Sequence, residues 1–288
     1  MRTRVLRQLV VLAMFGLGFC FICLPSASAI TGLDFPGSAS VTTTMRFKFT
    51  NPQNNGLPIY PATYIWQAYP RRQPYYFTTF FWGNDDGQGN LNSTWYWDNG
   101  SAGTYYGAHP YPIWPSYTSH KWEIASDGND YTSAEDVVYN QWYTQALVCF
   151  ADSSGKHCTF YYNLPDTTKK VVRDSPPSWG NTNPPAPALT FGDAPWNPGL
   201  EVYNGVLRGF RIYSTALSLS DILSEASSPL STSIGRSKIW YLNMNPTPGD
   251  ISDKSGAGHN PAWVGGERPG LYTDGQTAPA SPSNLLLK

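Results

Sequence analysis

The stretch Gly205-Val-Leu-Arg-Gly-Phe-Arg-Ile-Tyr-Ser-Thr-Ala-Leu217 contains a clear strand pattern, because the residues from Val206 to Tyr213 alternate with a period of two. Alternation of this kind predicts a β-strand with one buried face. The same pattern recurs in Val41–Phe49, Tyr75–Trp82 and Trp142–Phe150. Stretches rich in Gly, Pro, Asn and Asp separate these runs, and short strands at such spacing are typical of a sandwich or barrel. We therefore predict an all-β fold.

One helix is predicted, in Ser218-Leu-Ser-Asp-Ile-Leu-Ser-Glu-Ala226, which follows that strand directly. Its serines can cap the free amides of the first turn, and Asp221 lies in that turn. We expect one or two helical turns that form a structural lid over one edge of the sandwich.

Residues 1–29 are typical of a cleaved secretory signal. Arginines near the amino terminus precede an apolar run from Leu9 to Leu24, and Ala27 and Ala29 occupy the positions that a signal peptidase reads. A membrane anchor is the alternative, but the run is shorter than the ~20 residues that span a bilayer. We predict cleavage after Ala29, no membrane span after cleavage, and a protein that is secreted or periplasmic.

The rest of the chain predicts one β-domain, residues 30–272, and a Pro-rich tail or linker, residues 273–288. Charged residues make up 14% of the sequence and the formal net charge is −1. No run of Lys or Arg forms a stripe that could neutralise successive phosphates, so nucleic acid is not an expected partner. Aromatic residues make up 15%, alongside 26 Gly and 25 Pro, a composition typical of short strands joined by many turns.

Cys149 and Cys158 are the cysteines that remain after the predicted cleavage, in a compartment that permits oxidation. If Gln145–Phe150 pairs with Thr159–Asn163 about a turn at Ser154-Gly155, the two sulfurs face each other across the hairpin. We predict a disulfide between them. Metal binding with the nearby histidine is the alternative, but a structural zinc site requires four ligands and three candidates cluster here.

Two segments resemble laminin-G-like domains, which belong to the concanavalin A-like lectin and glucanase superfamily. Gly205–Leu217 with its short helix is similar to their closing strand and turn, and Ile239–Trp263 is similar to their opening segment, with Asp-Lys-Ser-Gly-Ala-Gly-His-Asn260 after an apolar strand. A weaker match, Gly32–Phe49, resembles the strand pair that opens the core. Here the opening segment follows the closing one, which a jelly roll tolerates because its terminal strands lie side by side. The resemblance implies a concanavalin A-like jelly-roll β-sandwich.

The segment from Tyr60 to Glu123 is where we expect a carbohydrate site. Sugars present apolar CH faces and rings of hydroxyl groups, so their sites pair aromatic platforms with Asn, Asp, Gln, Arg or His. The predicted binding residues are Arg71, Arg72, Gln73, Trp82, Asn84, Trp95, Trp97, His109 and Glu123. The alternative for Trp95 and Trp97 is burial in the core, because large aromatic residues are mostly buried.

Calcium is the cofactor that the resemblance implies. Its oxygen ligands would be Asp85 and Asp86 in one Gly-rich loop, and Asp250 and Asp253 in another. Both loops could instead form Asx-turns, in which the carboxylates satisfy their own backbone.

Catalysis is the second interpretation. Retaining glycosidases on this fold carry acidic residues that alternate on one strand, because two carboxylates must flank the bond about 5 Å apart. The sequence contains no such triplet. If the protein is a lyase, His120, Tyr143 and Arg72 supply a base and a group that neutralises a uronate.

Three functions follow from these observations, in order of preference. The first is a secreted, lectin-like carbohydrate-binding protein whose partner is a polysaccharide or other glycan. The second is an extracellular polysaccharide-degrading enzyme, a lyase or glycoside hydrolase, on the same fold. The third is a structural or adhesive module of a larger assembly.

Overall fold

The described residues form an antiparallel β-sandwich with one short helix, as predicted. The computed structural model describes residues 30–37, 46–50, 61–71, 77–84, 104–109, 121–126, 129–175, 187–193, 202–228, 239–242, 251–256, 258–265 and 268–273. All strand pairs in these residues are antiparallel.

The two sheets are called sheet A and sheet B. Sheet A contains β1 (Ile30–Pro36), β3 (Ala62–Pro70), β8 (Tyr143–Asp152), β9 (Gly155–Leu164), β10 (Lys170–Ser175), β12 (Asn204–Tyr213), β13 (Ile239–Leu242) and β15 (Gly270–Thr273). Its order is β10-β9-β8-β3-β12-β1-β15, and β13 also pairs with β12. Sheet B contains β2 (Arg46–Thr50), β4 (Phe77–Asn84), β5 (Thr104–His109), β6 (Lys121–Ser126), β7 (Asn129–Asp136), β11 (Pro187–Phe191) and β14 (Ala262–Val264). Its order is β14-β2-β11-β4-β5-β6-β7.

Aromatic side chains fill the core between the sheets. The Trp66 ring of sheet A is buried and stacks on Phe210, with 5.6 Å between ring centroids. Phe210 in turn meets Phe191 of sheet B edge to face at 4.3 Å, and Trp122 of sheet B meets Tyr143 of sheet A at 5.0 Å. Burial of such large apolar surfaces is the main favourable contribution to folding, so these contacts hold the two sheets face to face.

The predicted strands are confirmed, with shifted ends. The four alternating runs overlap β2, β4, β8 and β12. The predicted hairpin is also present, because β8 pairs with β9 and places Cys149 directly opposite Cys158. Both cysteines are buried. The disulfide between them stays a prediction.

The segments that resemble the ends of a laminin-G-like domain lie side by side. β13, from the opening segment, pairs with β12, from the closing segment, and Phe210 is opposite Leu242. Terminal strands that lie side by side are what the changed segment order is expected to keep. The strands of the third segment are not a pair, because β1 belongs to sheet A and β2 to sheet B.

The helix α1 (Leu219–Ala226) begins where the sequence predicts it. The Ser218 hydroxyl accepts a hydrogen bond from the Asp221 amide at 3.2 Å, as an N-cap residue does. Ile222 packs with Ile65 and Ala146, so α1 covers the outer face of sheet A over β3 and β8 rather than an edge. Within the ranges given above, no helix is long and apolar enough to cross a membrane.

Candidate functional site

The residues predicted for binding or catalysis fall into three groups. The first lies outside the described residues and comprises Arg72, Gln73, Asp85, Asp86, Trp95, Trp97, His120 and Asp250. The second lies on adjacent strands of sheet B and comprises Trp82, Asn84, His109 and Glu123. The third has described side chains and comprises Arg71, Tyr143 and Asp253.

Sheet B brings the second group together only in part. Trp82 in β4 is opposite Thr104, the first residue of β5, and Asn84 ends β4. His109 ends β5 and is opposite Lys121 of β6. Trp82 and His109 therefore occupy opposite ends of the β4–β5 pair. Their predicted contacts with a sugar stay predictions.

Tyr143 lies in the core and is 4% exposed. Its hydroxyl accepts hydrogen bonds from the Val138 amide and the Gln141 side chain, both at 2.8 Å, and donates to the Val138 carbonyl at 3.0 Å. These bonds fix the turn that precedes β8. The predicted role of Tyr143 as a catalytic base would require this network to rearrange.

Asp253 satisfies the backbone of its own loop. One carboxylate oxygen accepts from the Ser255 amide at 2.8 Å, and the other accepts from the Ser255 hydroxyl at 2.8 Å and the His259 amide at 3.1 Å. This is the Asx-turn arrangement that the sequence offers as the alternative to calcium. Among the described residues, no three His, Cys, Asp or Glu side chains are grouped to hold a metal ion. Calcium binding stays a prediction.

Arg71 follows β3 and is 5% exposed. Its Nη2 forms an ion pair with Asp34 of β1, and its Nη1 lies 3.4 Å from Oδ1 of Asn204. Burial raises the pKa of Asp34, although the Arg71 guanidinium acts in the opposite direction. The pair therefore places a carboxylate and a guanidinium together at one end of β1, β3 and β12.

The outer face of sheet A, the side away from sheet B, carries a second group of polar and aromatic residues. Because Trp66 and Ala68 pack in the core, Gln67 and Tyr69 point to the outer face. The pairing of β3 places Gln67 between Thr144 of β8 and Arg208 of β12.

Trp142, which immediately precedes β8, lies over this row of residues. Its half-buried indole ring covers the Arg208 guanidinium at 3.9 Å, a cation–π contact. Tyr69 and Tyr272 flank the indole, with ring centroids at 5.4 and 5.6 Å and interplanar angles of 60° and 70°. We call Trp142, Arg208, Gln67, Thr144, Tyr69 and Tyr272 the Trp142 cluster.

Hydrogen bonds fix the guanidinium beneath the indole. Arg208 Nε donates to Gln67 Oε1 at 2.6 Å, and Gln67 Nε2 donates to Thr144 Oγ1 at 2.9 Å. Arg208 and Gln67 are both buried, so the hydrogen bond between them is shielded from water. The indole is thus held in one orientation, and a ligand that stacks on it need not order the ring.

The sequence did not single out most of this cluster. Tyr69, Trp142 and Tyr272 come from segments far apart in the chain, and their spacing has no pattern that links them. The strand pairing is what brings them together. A signal for Trp142 does exist, because it begins the alternating run Trp142–Phe150. In such a run, neighbouring residues point to opposite faces of the sheet, so Trp142 points away from the side on which Tyr143 is buried.

A separate cluster lies where β8, β9 and β10 meet. His157 Nδ1 is 2.7 Å from Asp174 Oδ1, and its Nε2 is 3.2 Å from Asp152 Oδ1 and 3.0 Å from Ser154 Oγ. The ring also stacks on Phe150 at 4.7 Å. Hydrogen bonding to Asp174 raises the pKa of His157, and hydrogen bonds from Ser154 are the main reason that the pKa of Asp152 is lowered to about 2.

We expect the His157 cluster to make stability depend on pH. Because the folded pKa of His157 lies above its unfolded value of about 6.5, the stabilisation is fully present below that pH. It is lost as the pH rises through the folded pKa. An NMR titration should give a pKa for His157 above 6.5, and Asp174→Asn should lower it. An unchanged titration in that variant would contradict the assignment.

Comparisons with known proteins identify the fold. No protein-family model and no curated protein sequence matches the chain. A candidate carbohydrate-binding protein from Bacteroides ovatus has a similar structure, with a TM-score of 0.51 and 14% identity over 85% of this chain and 60% of that one. The chain thus spans 60% of the length of the Bacteroides protein.

A second similar structure is the native heptameric SAP-like pentraxin from Limulus polyphemus. Its TM-score is 0.45 and its identity is 12%, over 74% of this chain and 94% of that one. At 14% identity, the similarity to the Bacteroides protein supports the antiparallel β-sandwich and nothing finer.

Proposed function

We propose that the protein is a carbohydrate-binding β-sandwich, secreted or periplasmic, which binds glycans at the Trp142 cluster. The observation that carries this proposal is the indole of Trp142, half-buried and fixed on the outer face of sheet A. An aromatic ring with nearby polar groups is the arrangement that suits the CH faces and hydroxyl groups of a sugar.

The two faces of the indole have different roles in this proposal. One face is covered by the Arg208 guanidinium at 3.9 Å, which fixes the ring and leaves the opposite face for a sugar. Tyr69 and Tyr272 flank the indole, and a tyrosine combines an apolar ring with a hydroxyl group that can bond to a ligand.

Secretion is the second part of the proposal. Cys149 is opposite Cys158 in a position suited to a disulfide, a bond that forms in oxidising compartments outside the cytoplasm. The Bacteroides protein that shares the fold is itself a candidate carbohydrate-binding protein. These observations support an extracellular or periplasmic glycan-binding protein.

Trp142→Ala should weaken glycan binding by about tenfold or more, because the variant loses the stacking surface. The purified protein would be tested for retention on insoluble polysaccharides, and for affinity with the one that it binds best. New reducing ends and unsaturated-uronate absorbance would be measured in the same tubes. Product formation would favour the polysaccharide-degrading enzyme instead.

Phe150→Ala is a matched control for this experiment. Phe150 is also an aromatic residue on sheet A that stacks on a polar side chain, and it is 39% exposed. It belongs to the separate His157 cluster, so its replacement should leave glycan affinity unchanged. Equal binding by the wild type and a folded Trp142→Ala variant would show that the site is elsewhere.

A further inference from the structure

The ion pair of Arg71 and Asp34 has hydrogen-bonding capacity that the fold does not use. Arg71 is 5% exposed, yet its Nε–H has no hydrogen-bond partner among the described residues. A buried donor without a partner is uncommon in folded proteins and costs free energy. Asp34 uses one carboxylate oxygen to accept from Arg71, and the described residues donate no hydrogen bond to the other.

This ion pair lies beside the Trp142 cluster on the same face of sheet A. Asp34 is opposite Val206, which is itself opposite Tyr69 of the cluster. Arg71 is two residues beyond Tyr69, and its amide donates to the Asn204 carbonyl at 2.8 Å, which anchors it to β12. A ligand that stacks on Trp142 therefore has a carboxylate and a guanidinium next to it.

The charges of this surface disfavour an acidic ligand. The Arg71 guanidinium is already neutralised by Asp34, whose negative charge would repel the carboxylate of a uronic acid. The second cation, Arg208, is buried beneath the indole and bonded to Gln67. Among the described residues of this surface, both guanidinium groups already have partners, whereas sugar hydroxyl groups can both donate to Asp34 and accept from Arg71.

We propose that the Trp142 site is selective for neutral glycans, and that it holds two adjacent sugar hydroxyl groups between Asp34 and Arg71. One hydroxyl donates to the second oxygen of Asp34, and the next accepts from the Nε–H of Arg71. This inference rests on the proposed carbohydrate-binding function, and it names the class of glycan that the site takes.

The test compares one polysaccharide in two charge states. The probe is the insoluble glucan, mannan or galactan that the purified protein binds best, and the same material after oxidation of its C6 hydroxymethyl groups to carboxylates. The wild type should bind the neutral form at least about tenfold more tightly. Equal or tighter binding of the oxidised form would overturn the inference and leave the proposed function in place.

Asp34→Asn gives a second readout. This variant keeps the shape of the side chain but removes its charge, so Arg71 is no longer neutralised. Affinity for the neutral form should fall about tenfold, and the preference for neutral over oxidised glycan should shrink. A matched control is Asp136→Asn, since Asp136 pairs with Lys121 in sheet B and its side chain is 56% exposed.

The outcomes separate the two proposals. If Trp142→Ala abolishes binding while Asp34→Asn leaves the ratio of affinities unchanged, the selectivity proposal is wrong and the glycan site stands. If the Asp34→Asn variant does not fold, the affinities of the wild type for the neutral and the oxidised glycan still test the selectivity proposal. If the wild type binds no polysaccharide, both proposals fail.

Discussion

Replacement of Glu225 by alanine is expected to lower the free energy of unfolding by about 3–5 kcal/mol. Glu225 of α1 and Arg211 of β12 are both 0% exposed. Glu225 Oε2 lies 3.2 Å from Arg211 Nη1 and also accepts a hydrogen bond from the Tyr213 hydroxyl. Without the carboxylate, the buried Arg211 charge loses the counter-charge of Glu225, and the Tyr213 hydroxyl loses the hydrogen bond to this carboxylate.

Chemical denaturation would measure this effect, with Asp136→Ala as the control. Asp136 pairs with Lys121 at 2.7 Å in a position where its side chain is 56% exposed, so its loss should change stability little. The double variant Glu225→Leu and Arg211→Met should recover part of the loss, because it removes both buried charges together. Equal effects of Glu225→Ala and Asp136→Ala would show that the buried pair does not hold α1 to sheet A.

Local segments of this fold could be predicted because short-range physics determines them. The helix α1 begins after Ser218, whose hydroxyl can reach the amide of Asp221 within one turn. The β8–β9 hairpin turns at Ser153-Ser154, one residue before the predicted position, and Gly155, which begins β9, has a φ of 142°, a conformation that favours glycine. In both cases, residues a few positions apart decide the structure.

The Trp142 cluster could not be predicted from the sequence, because its contacts depend on the order of strands. Gln67 bonds to Thr144, 77 residues away, and to Arg208, 141 residues away. Alternation predicts that neighbouring residues face opposite sides of a sheet, but it does not say which strands are adjacent. The cluster exists because β3 lies between β8 and β12.

The prediction of a carbohydrate site followed the density of aromatic and polar residues between Tyr60 and Glu123. A high density of such residues along the chain identifies a binding surface only if the segment folds so that these residues lie on one face. Of the predicted binding residues, Arg71 lies beside the Trp142 cluster, since β3 places it two residues after Tyr69. Trp82 and His109, in contrast, lie in sheet B.

A glycine next to the Trp142 cluster permits the close approach of β12 and β3. Gly205 has a φ of 143°, in the region that disfavours other residues. A Cβ atom at this position would overlap the backbone carbonyl oxygen of Tyr69 and would lie 3.0 Å from Cε1 of Tyr203. The carbonyl belongs to a paired strand, so it cannot move away without breaking the pairing of Gly205 with Pro70.

Gly205→Ala should therefore lower the free energy of unfolding by about 3 kcal/mol or more, because it combines an unfavourable φ with an overlap of backbone atoms. Gly256→Ala separates the two causes, since Gly256 has a φ of 84° but no atom within 4 Å of an added Cβ. That control should cost only about 1–2 kcal/mol. Thermal and chemical denaturation would compare them. If the two variants lose the same amount of stability, strain in φ alone explains the cost at Gly205. A larger loss in Gly205→Ala means that the close approach of β12 to the Tyr69 carbonyl adds to that cost.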